Sequence, residues 1–373
     1  MKIMTIFGTR PEAIKLAPLI LELEKRKIEQ IVCVTGQHRQ MLDQMLSIFN
    51  IEPTHDLDLM TENQSISEIS SRALTGLEPI IKDENPDLVI VQGDTTTTLM
   101  GALAAFYNQV PVAHIEAGLR TDNRYNPFPE EMNRRLVSQI AELHFAATEK
   151  ARQNLLSSGI DSSRIFVTGN TVIDALLKIT SEELEFEDSN LKSLDLDKKI
   201  ILVTTHRREN LGEGMESIFR AIKRLSIKHT EVQFVFPIHM NPKIRKHAEE
   251  LLKDQKNILL THPVSYRDIA KLMKSSYLVM TDSGGIQEEA PALGKPVLVL
   301  RSTTERPEGI DAGTAILAGV AEEKIYYLAD SLIENQEEYK RMAQAVNPYG
   351  DGTSSKKIAD IIKEKLENDS SIN

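Results

Sequence analysis

A doubled alternation of short apolar runs with longer amphipathic segments constrains this chain more than any other feature. Lys2–Phe7, Ile31–Thr35, Leu88–Gln92, Val112–Glu116 and Leu143–Ala146 read as strands. Glu12–Lys25, Gln40–Phe49, Ile66–Asp83, Thr96–Tyr107, Pro129–Ala141 and Lys150–Ser157 read as helices. A second series runs through Ile200–Thr204, Val232–Pro237, Ile258–Thr261, Leu278–Asp282 and Val297–Leu300, with helices between. Strands joined through helices pair in parallel, and a parallel sheet needs both faces covered. The expectation is an α/β protein of two similar halves. The join is expected near Gly169–Asn170, giving domains 1–169 and 170–353. Ile358, Ile361, Ile362 and Leu366 recur at helical spacing, so a last helix over 354–367 is expected to pack back on the first half.

At 373 residues the chain exceeds one ordinary core, which agrees with two domains. No apolar run approaches the about 20 residues of a membrane helix, and Met1–Arg10 reads as a first strand rather than a signal peptide. The net charge of −11 argues against broad nucleic-acid binding, which needs a basic face. It leaves room for an anionic small ligand held by a few cations and backbone N–H groups. With one cysteine, Cys33, no intramolecular disulfide can form, and the expected compartment is the cytoplasm.

The chemistry-bearing motifs all follow strand ends, where doubly wound sheets bind ligands. The expected site is therefore a cleft between the halves. In Gly8-Thr9-Arg10-Pro11-Glu12-Ala13-Ile14-Lys15, Pro11 suits a first helical turn. Arg10 and Lys15 stand near the helix end that favours anions, although a cap with two solvated cations explains them equally. The segment is neither a Walker loop nor the dinucleotide fingerprint. In Gln92-Gly93-Asp94-Thr95-Thr96-Thr97-Thr98, Asp94 ends a strand, and helix capping is the competing account. Glu116 ends the next strand in His114-Ile115-Glu116-Ala117-Gly118-Leu119-Arg120, and Glu130 and Glu131 open a helix after Pro127-Phe128-Pro129. Three carboxylates near one pocket would raise each other's pKa, as poised acids and bases require. An ion-pair network with Arg120, Arg124 and Arg134 is the alternative.

In the second half, His206 is followed by Arg207 and Arg208, which favours an anion site. Metal ligation is not expected, because His206, His239 and His262 lie on separate strand ends without a metal-binding spacing. In Thr281-Asp282-Ser283-Gly284-Gly285-Ile286-Gln287-Glu288-Glu289, glycines and N–H groups suit a diphosphate, and Glu289 is placed to accept ribose hydroxyls. Arg306 adds a cation after the next strand.

Taken in order, these strings, with Thr304-Glu305-Arg306-Pro307-Glu308, resemble the bacterial non-hydrolysing UDP-N-acetylglucosamine 2-epimerases from residue 5 to about residue 353. The resemblance implies two Rossmann-like domains in a glycosyltransferase-B-like arrangement, a homodimer, and interconversion of UDP-N-acetylglucosamine and UDP-N-acetylmannosamine without cofactor or metal. It implies elimination of UDP to 2-acetamidoglucal and re-addition. Carried over, Asp94, Glu116 and Glu130 are the acid/base candidates and His206 lies near the sugar-phosphate. Arg10, Lys15, Ser283, Gly284, Gly285 and Arg306 hold diphosphate and sugar, and Glu289 holds the ribose. Val264 and Ile269 line the uracil pocket; Ile269 stands where related chains often carry an aromatic. Gln37, Gln40, Arg207 and His239 are candidates for a site of activation by substrate. The competing readings are a hydrolysing relative that releases N-acetylmannosamine, a glycosyltransferase on the same scaffold, and a non-catalytic sensor, which would have no use for three acids at the sugar.

Overall fold

A computed structural model describes residues 1–36, 39–60, 64–121, 123–182, 185–207, 210, 212–238 and 242–369. The chain divides into two compact units, one of Met1–Ala175 with Tyr349–Asn373, the other of Leu176–Pro348. The division falls six residues beyond the expected join, inside a helix rather than at Gly169–Asn170.

The first unit contains strands β1 (Lys2–Phe7), β2 (Glu29–Val34), β3 (His55–Asp56), β4 (Leu88–Gln92), β5 (Val112–Ala117), β6 (Leu143–Ala146) and β7 (Ile165–Val167). All pair in parallel, in the order β3-β2-β1-β4-β5-β6-β7. The helices between them are α1 (Arg10–Lys25), α2 (Arg39–Phe49), α3 (Ile66–Glu84), α4 (Thr96–Tyr107), α5 (Glu130–Ile140), α6 (Glu149–Ser157) and α7 (Thr171–Ser181). β4 and β5 are buried along their whole length, which explains why they read as unbroken apolar runs rather than alternating ones. Met4, Ile6, Cys33, Val89, Val91 and Val112 form the centre of this core. The last helix of the chain (Ser354–Asp369) belongs to this unit and packs on α1, with Arg26 NH1 2.6 Å from Asp360 Oδ1. The Asp174 carboxylate of α7 accepts from Ser355 N at 2.7 Å and Ser354 N at 3.3 Å.

The second unit is a six-stranded parallel sheet of β8 (Ile200–Thr204), β9 (Gln233–Pro237), β10 (Ile258–Thr261), β11 (Leu278–Thr281), β12 (Val297–Val299) and β13 (Ala315–Leu317), ordered β10-β9-β8-β11-β12-β13. Its helices are α8 (Glu213–Lys228), α9 (Pro242–Leu252), α10 (Tyr266–Ser275), α11 (Gly284–Ala292), α12 (Pro307–Asp311), α13 (Glu322–Glu334) and α14 (Gln336–Ala343); the last helix of the chain is α15. Phe219 of α8 meets Phe236 of β9 edge-on at 5.7 Å, and burying each such ring contributes about 1.5–3 kcal/mol. No helix among the described residues is long and apolar enough to cross a membrane.

Two histidines lie in the first unit's core at paired positions, His114 of β5 and His144 of β6. Both are fully buried, and burial pushes His114 down to about 4 and His144 down to about 3. Unfolded, each would titrate near pH 6.5. Below that pH the unfolded chain therefore binds more protons than the folded one, and stability falls as pH drops. His144→Leu removes one such titration. The unfolding free energy lost between about pH 7.5 and about pH 5, measured in urea, is expected to shrink by roughly 2 kcal/mol; an unchanged loss would contradict this.

Candidate active site

In each sheet, the connections leave in opposite directions from two adjacent strands: β1 and β4 in the first unit, β8 and β11 in the second. The turns beyond such strands open the crevice in which doubly wound sheets bind ligands, and the motifs occupy these turns.

After β1 the backbone is packed too closely for a side chain at Gly8. A Cβ there would lie 2.2 Å from Thr35 Oγ1 and 2.6 Å from Thr97 Oγ1. Glu12, in the first turn of α1, is 1% exposed. Its carboxylate accepts from Gly8 N at 3.1 Å, Thr9 N at 2.8 Å, Thr95 Oγ1 at 2.8 Å and Thr98 Oγ1 at 3.1 Å. Burial pushes this carboxyl above its ordinary range against the pull of those donors. Capping of α4 falls to Thr95, whose hydroxyl accepts from Thr98 N at 3.1 Å.

Asp94 is thereby released from the capping role. Its Oδ2 pairs with Arg134 NH2 at 2.5 Å, and its carbonyl accepts from Asn133 Nδ2 at 2.9 Å. Burial raises its pKa; Arg134 and Lys15 oppose the rise and the Glu116 charge adds to it. Glu116 adopts a left-handed φ of +62° where the β5–β6 register shifts, a conformation costing about 1–3 kcal/mol in a non-glycine residue. Its Oε2 takes the Lys15 ammonium and the Gln92 side-chain amide, and its Oε1 lies 3.3 Å from Asn170 Nδ2. Asp94, Glu116 and Lys15 are thus brought together. Gln92 and Asn170 join them, although sequence reasoning singled out neither; a neutral amide leaves no charge pattern to find.

Glu130 opens α5, half-buried, and makes no hydrogen bond or ion pair among the described residues. Its neighbour Glu131 is fully buried and accepts from Arg135 Nε at 2.6 Å and Thr121 N at 3.0 Å, with Arg134 NH1 at 3.4 Å. The ion-pair alternative is therefore realised in part. It runs through Glu131, and Arg134 joins it to Asp94. Arg120 and Arg124 stand outside it: Arg120 donates to Leu119 O and Ser138 Oγ, and Arg124 lies over the Tyr125 ring. Arg10 is exposed and meets no described partner.

In the second unit Asp282, fully buried after β11, reaches across to the turn after β8. It accepts from His206 N at 3.0 Å, Arg207 N at 3.0 Å and Asn210 Nδ2 at 3.0 Å, and His206 Nδ1 lies 3.1 Å from Oδ1. Burial alone would raise the Asp282 carboxyl, but these donors, His206 first, hold it below its ordinary value. Nδ1 of His206 is thereby committed to Asp282, which leaves Nε2 as the nitrogen open to another partner. Ser283 precedes α11, and a Cβ on Gly284 would lie 3.8 Å from Arg207 NH2 and 3.9 Å from Arg306 NH2. Two guanidiniums thus flank a helix N-terminus, an arrangement that attracts an anion. Gly285 follows, with Glu289 one turn on.

Glu289 Oε1 already accepts from Tyr266 Oη at 2.7 Å, so a bidentate grip on ribose would have to share that oxygen. Val264 and Ile269 are half-buried beside the capping residue of α10, Ser265. Gln37, His239 and the Gln40 side chain lie outside the described residues; Arg207 belongs to the anion-attracting group. Among the described residues one cluster, His229, Asp330 and Glu334, has metal-ligand spacing. Its Asp330 Oδ1 already pairs with Lys228 Nζ at 2.6 Å and His229 Nε2 at 2.8 Å.

The family model for UDP-N-acetylglucosamine 2-epimerase matches residues 21–363. The chain belongs to the UDP-N-acetylglucosamine 2-epimerase family. It is 53% identical over 361 residues to the UDP-N-acetylglucosamine 2-epimerase of Bacillus subtilis, covering 96% of this chain and 94% of the relative. Among solved structures, the Neisseria meningitidis UDP-GlcNAc 2-epimerase bound to UDP-GlcNAc superposes with a TM-score of 0.87 at 50% identity, covering 98% of this chain and 100% of that one. The Methanocaldococcus jannaschii UDP-GlcNAc 2-epimerase in complex with UDP-GlcNAc and UDP gives 0.77 at 35% identity, with the same coverage. Family membership accounts for the pairing of two parallel-sheet domains.

The Glu12 clamp makes a direct prediction. Glu12→Leu leaves two backbone N–H groups and two hydroxyls without their acceptor in a dry site. It is expected to cost about 2 kcal/mol or more, read as a lower urea midpoint at unchanged slope. An unchanged midpoint would mean that the clamp contributes nothing.

Proposed function

We propose that the chain interconverts UDP-N-acetylglucosamine and UDP-N-acetylmannosamine by eliminating UDP across C1–C2 of the sugar and adding it back. The observation that carries this reading is the Glu116 carboxylate, held by Lys15, Gln92 and Asn170 beside the buried, Arg134-paired Asp94. The C2 hydrogen is not acidic, so its removal must coincide with departure of UDP carrying the C1–O electron pair. That requires one base already ionised and a second group ready to deliver a proton to the opposite face. Glu116 suits the first task because three donors favour its negative form. Asp94, whose pKa burial raises, suits the second. Glu130, half-buried and without a described partner, is suited to exchange protons with solvent.

The departing UDP is a stable anion only where its diphosphate is neutralised. The second unit offers the N-terminus of α11 at Ser283, Gly284 and Gly285, the Arg207 and Arg306 guanidiniums near Gly284, and Nε2 of His206. Glu289 then meets the ribose, and Val264 and Ile269 the uracil. Lys15 supports Glu116, and Lys15 and exposed Arg10 add positive charge for the diphosphate and sugar. The relatives bound to UDP-GlcNAc or UDP support this choice of ligand. A homodimer, a cytoplasmic location, supply of surface polysaccharide synthesis and activation by substrate belong to the same reading.

In deuterated water the protein is expected to place deuterium at C2 of both epimers while UDP stays attached, followed by NMR. Accumulation of free N-acetylmannosamine with UDP would instead mean hydrolysis, and absence of exchange would overturn the reading. Asp94→Asn and Glu116→Gln should each lower exchange at least about a hundredfold with UDP affinity retained, whereas Arg306→Ala should weaken UDP binding roughly tenfold or more. Normal exchange in both acid variants would remove the assigned roles.

A further inference from the structure

Asn170 lies at the start of α7 and is 2% exposed. Its Oδ1 accepts from Val172 N at 3.1 Å, the ordinary work of an asparagine at a helix N-terminus. Because that bond fixes which end of the amide is the acceptor, the other end, Nδ2, is the one that faces Glu116 Oε1 at 3.3 Å. The main chain beneath is clamped as well. Asn170 N donates to Tyr349 O at 2.7 Å, and a Cβ on Gly169, whose φ is +88°, would lie 2.7 Å from Ser354 Oγ and 3.1 Å from Gly350 Cα. The segment leading into α15 therefore holds Asn170 in place from behind while its amide faces the carboxylate.

We propose that Asn170 is a positioning residue for Glu116. Lys15 and Gln92 both engage Oε2, and donors on one oxygen alone do not define the plane of a carboxylate. A donor on Oε1 adds the second point that sets that plane. Glu116 needs such a restraint because it leaves the strand with a left-handed backbone at a register shift, so the regular ladder does not aim it. The inference rests on the epimerase reading and assigns that reading's base a second, neutral support.

Capping and positioning can be separated, since Asp and Ser cap helices about as well as Asn. Asn170→Ser keeps the cap and loses the reach to Glu116. Asn170→Asp keeps the cap and sets a carboxylate against Oε1, so that the two acids share a proton. Among the described residues Lys15 of α1, Asp94 after β4 and His114 of β5 also act on Glu116, and neither variant replaces them. The measurement is the rate of deuterium incorporation into UDP-N-acetylglucosamine as a function of pH, with KM and thermal midpoint taken on the same samples.

Asn170→Ser is expected to lose roughly tenfold in kcat with KM within about threefold. Asn170→Asp is expected to lose at least about a hundredfold at neutral pH, with the acidic limb of its profile moved up by about one pH unit or more. Both should melt close to the wild type. Wild-type kcat and an unmoved profile in Asn170→Asp would overturn the inference and leave the activity standing. Equal losses in both variants that track a fall in thermal midpoint would overturn it in favour of capping alone. Failure of the wild type to exchange would remove the epimerase reading itself.

Discussion

A buried carboxylate bridging the two turns of a switch point is the interaction on which each unit depends. In the first unit Glu12 comes from the turn after β1 and reaches the turn after β4, where Thr95 and Thr98 wait. In the second unit the direction is reversed: Asp282 comes from the turn after β11 and gathers the turn after β8 at His206, Arg207 and Asn210. Parallel strands diverge beyond their carboxyl ends at such points. An apolar residue there would leave several inward-facing N–H and O–H groups without an acceptor, at about 1–3 kcal/mol each. The two clamps fix the loops from which Lys15, Asp94, His206 and Arg207 project.

The clamps also carry different charge chemistry. Glu12 is held by backbone amides and hydroxyls, and burial wins over them, so its pKa is raised. Asp282 is held by an imidazole as well as amides, and the donors win over burial, so its pKa is lowered. The first therefore serves as scaffold, while the second places a standing negative charge behind His206. An acidic chain can still build an anion-attracting surface this way, because acids buried behind the site help to aim the cations in front of it. Arg306 follows the same pattern, with Nε paired to Glu288.

Much of this was legible in the sequence. Each long apolar run became a strand, because a parallel strand buried on both faces has nothing to alternate with. β3, β7 and β13, which the strand reading missed, span only two or three residues; β12 is as short but was found because Val297–Leu300 is apolar throughout. Asp94 and Thr95 both read as caps, and only the geometry assigns the cap to Thr95. The adjacent acids Glu130 and Glu131 look equivalent in sequence, yet one is half-open and the other fully buried against two arginines. The left-handed backbone of Glu116 had no glycine to announce it. Gln92 and Asn170 were silent for a related reason: an amide that supports a carboxylate reads in sequence as an ordinary strand end or helix cap.

The first unit is assembled from both ends of the chain, with α15 lying on α1 although the entire second unit intervenes. At synthesis rates of about 5–20 residues per second, α15 emerges roughly ten to forty seconds after α7. During that interval the face of α1 that α15 covers is open to water, and the backbone of Asn170 has no Tyr349 carbonyl to meet. The nascent chain can thus complete its second sheet before its first unit closes, and a ribosome stalled in between would carry a first unit whose Glu116 is not yet braced from behind.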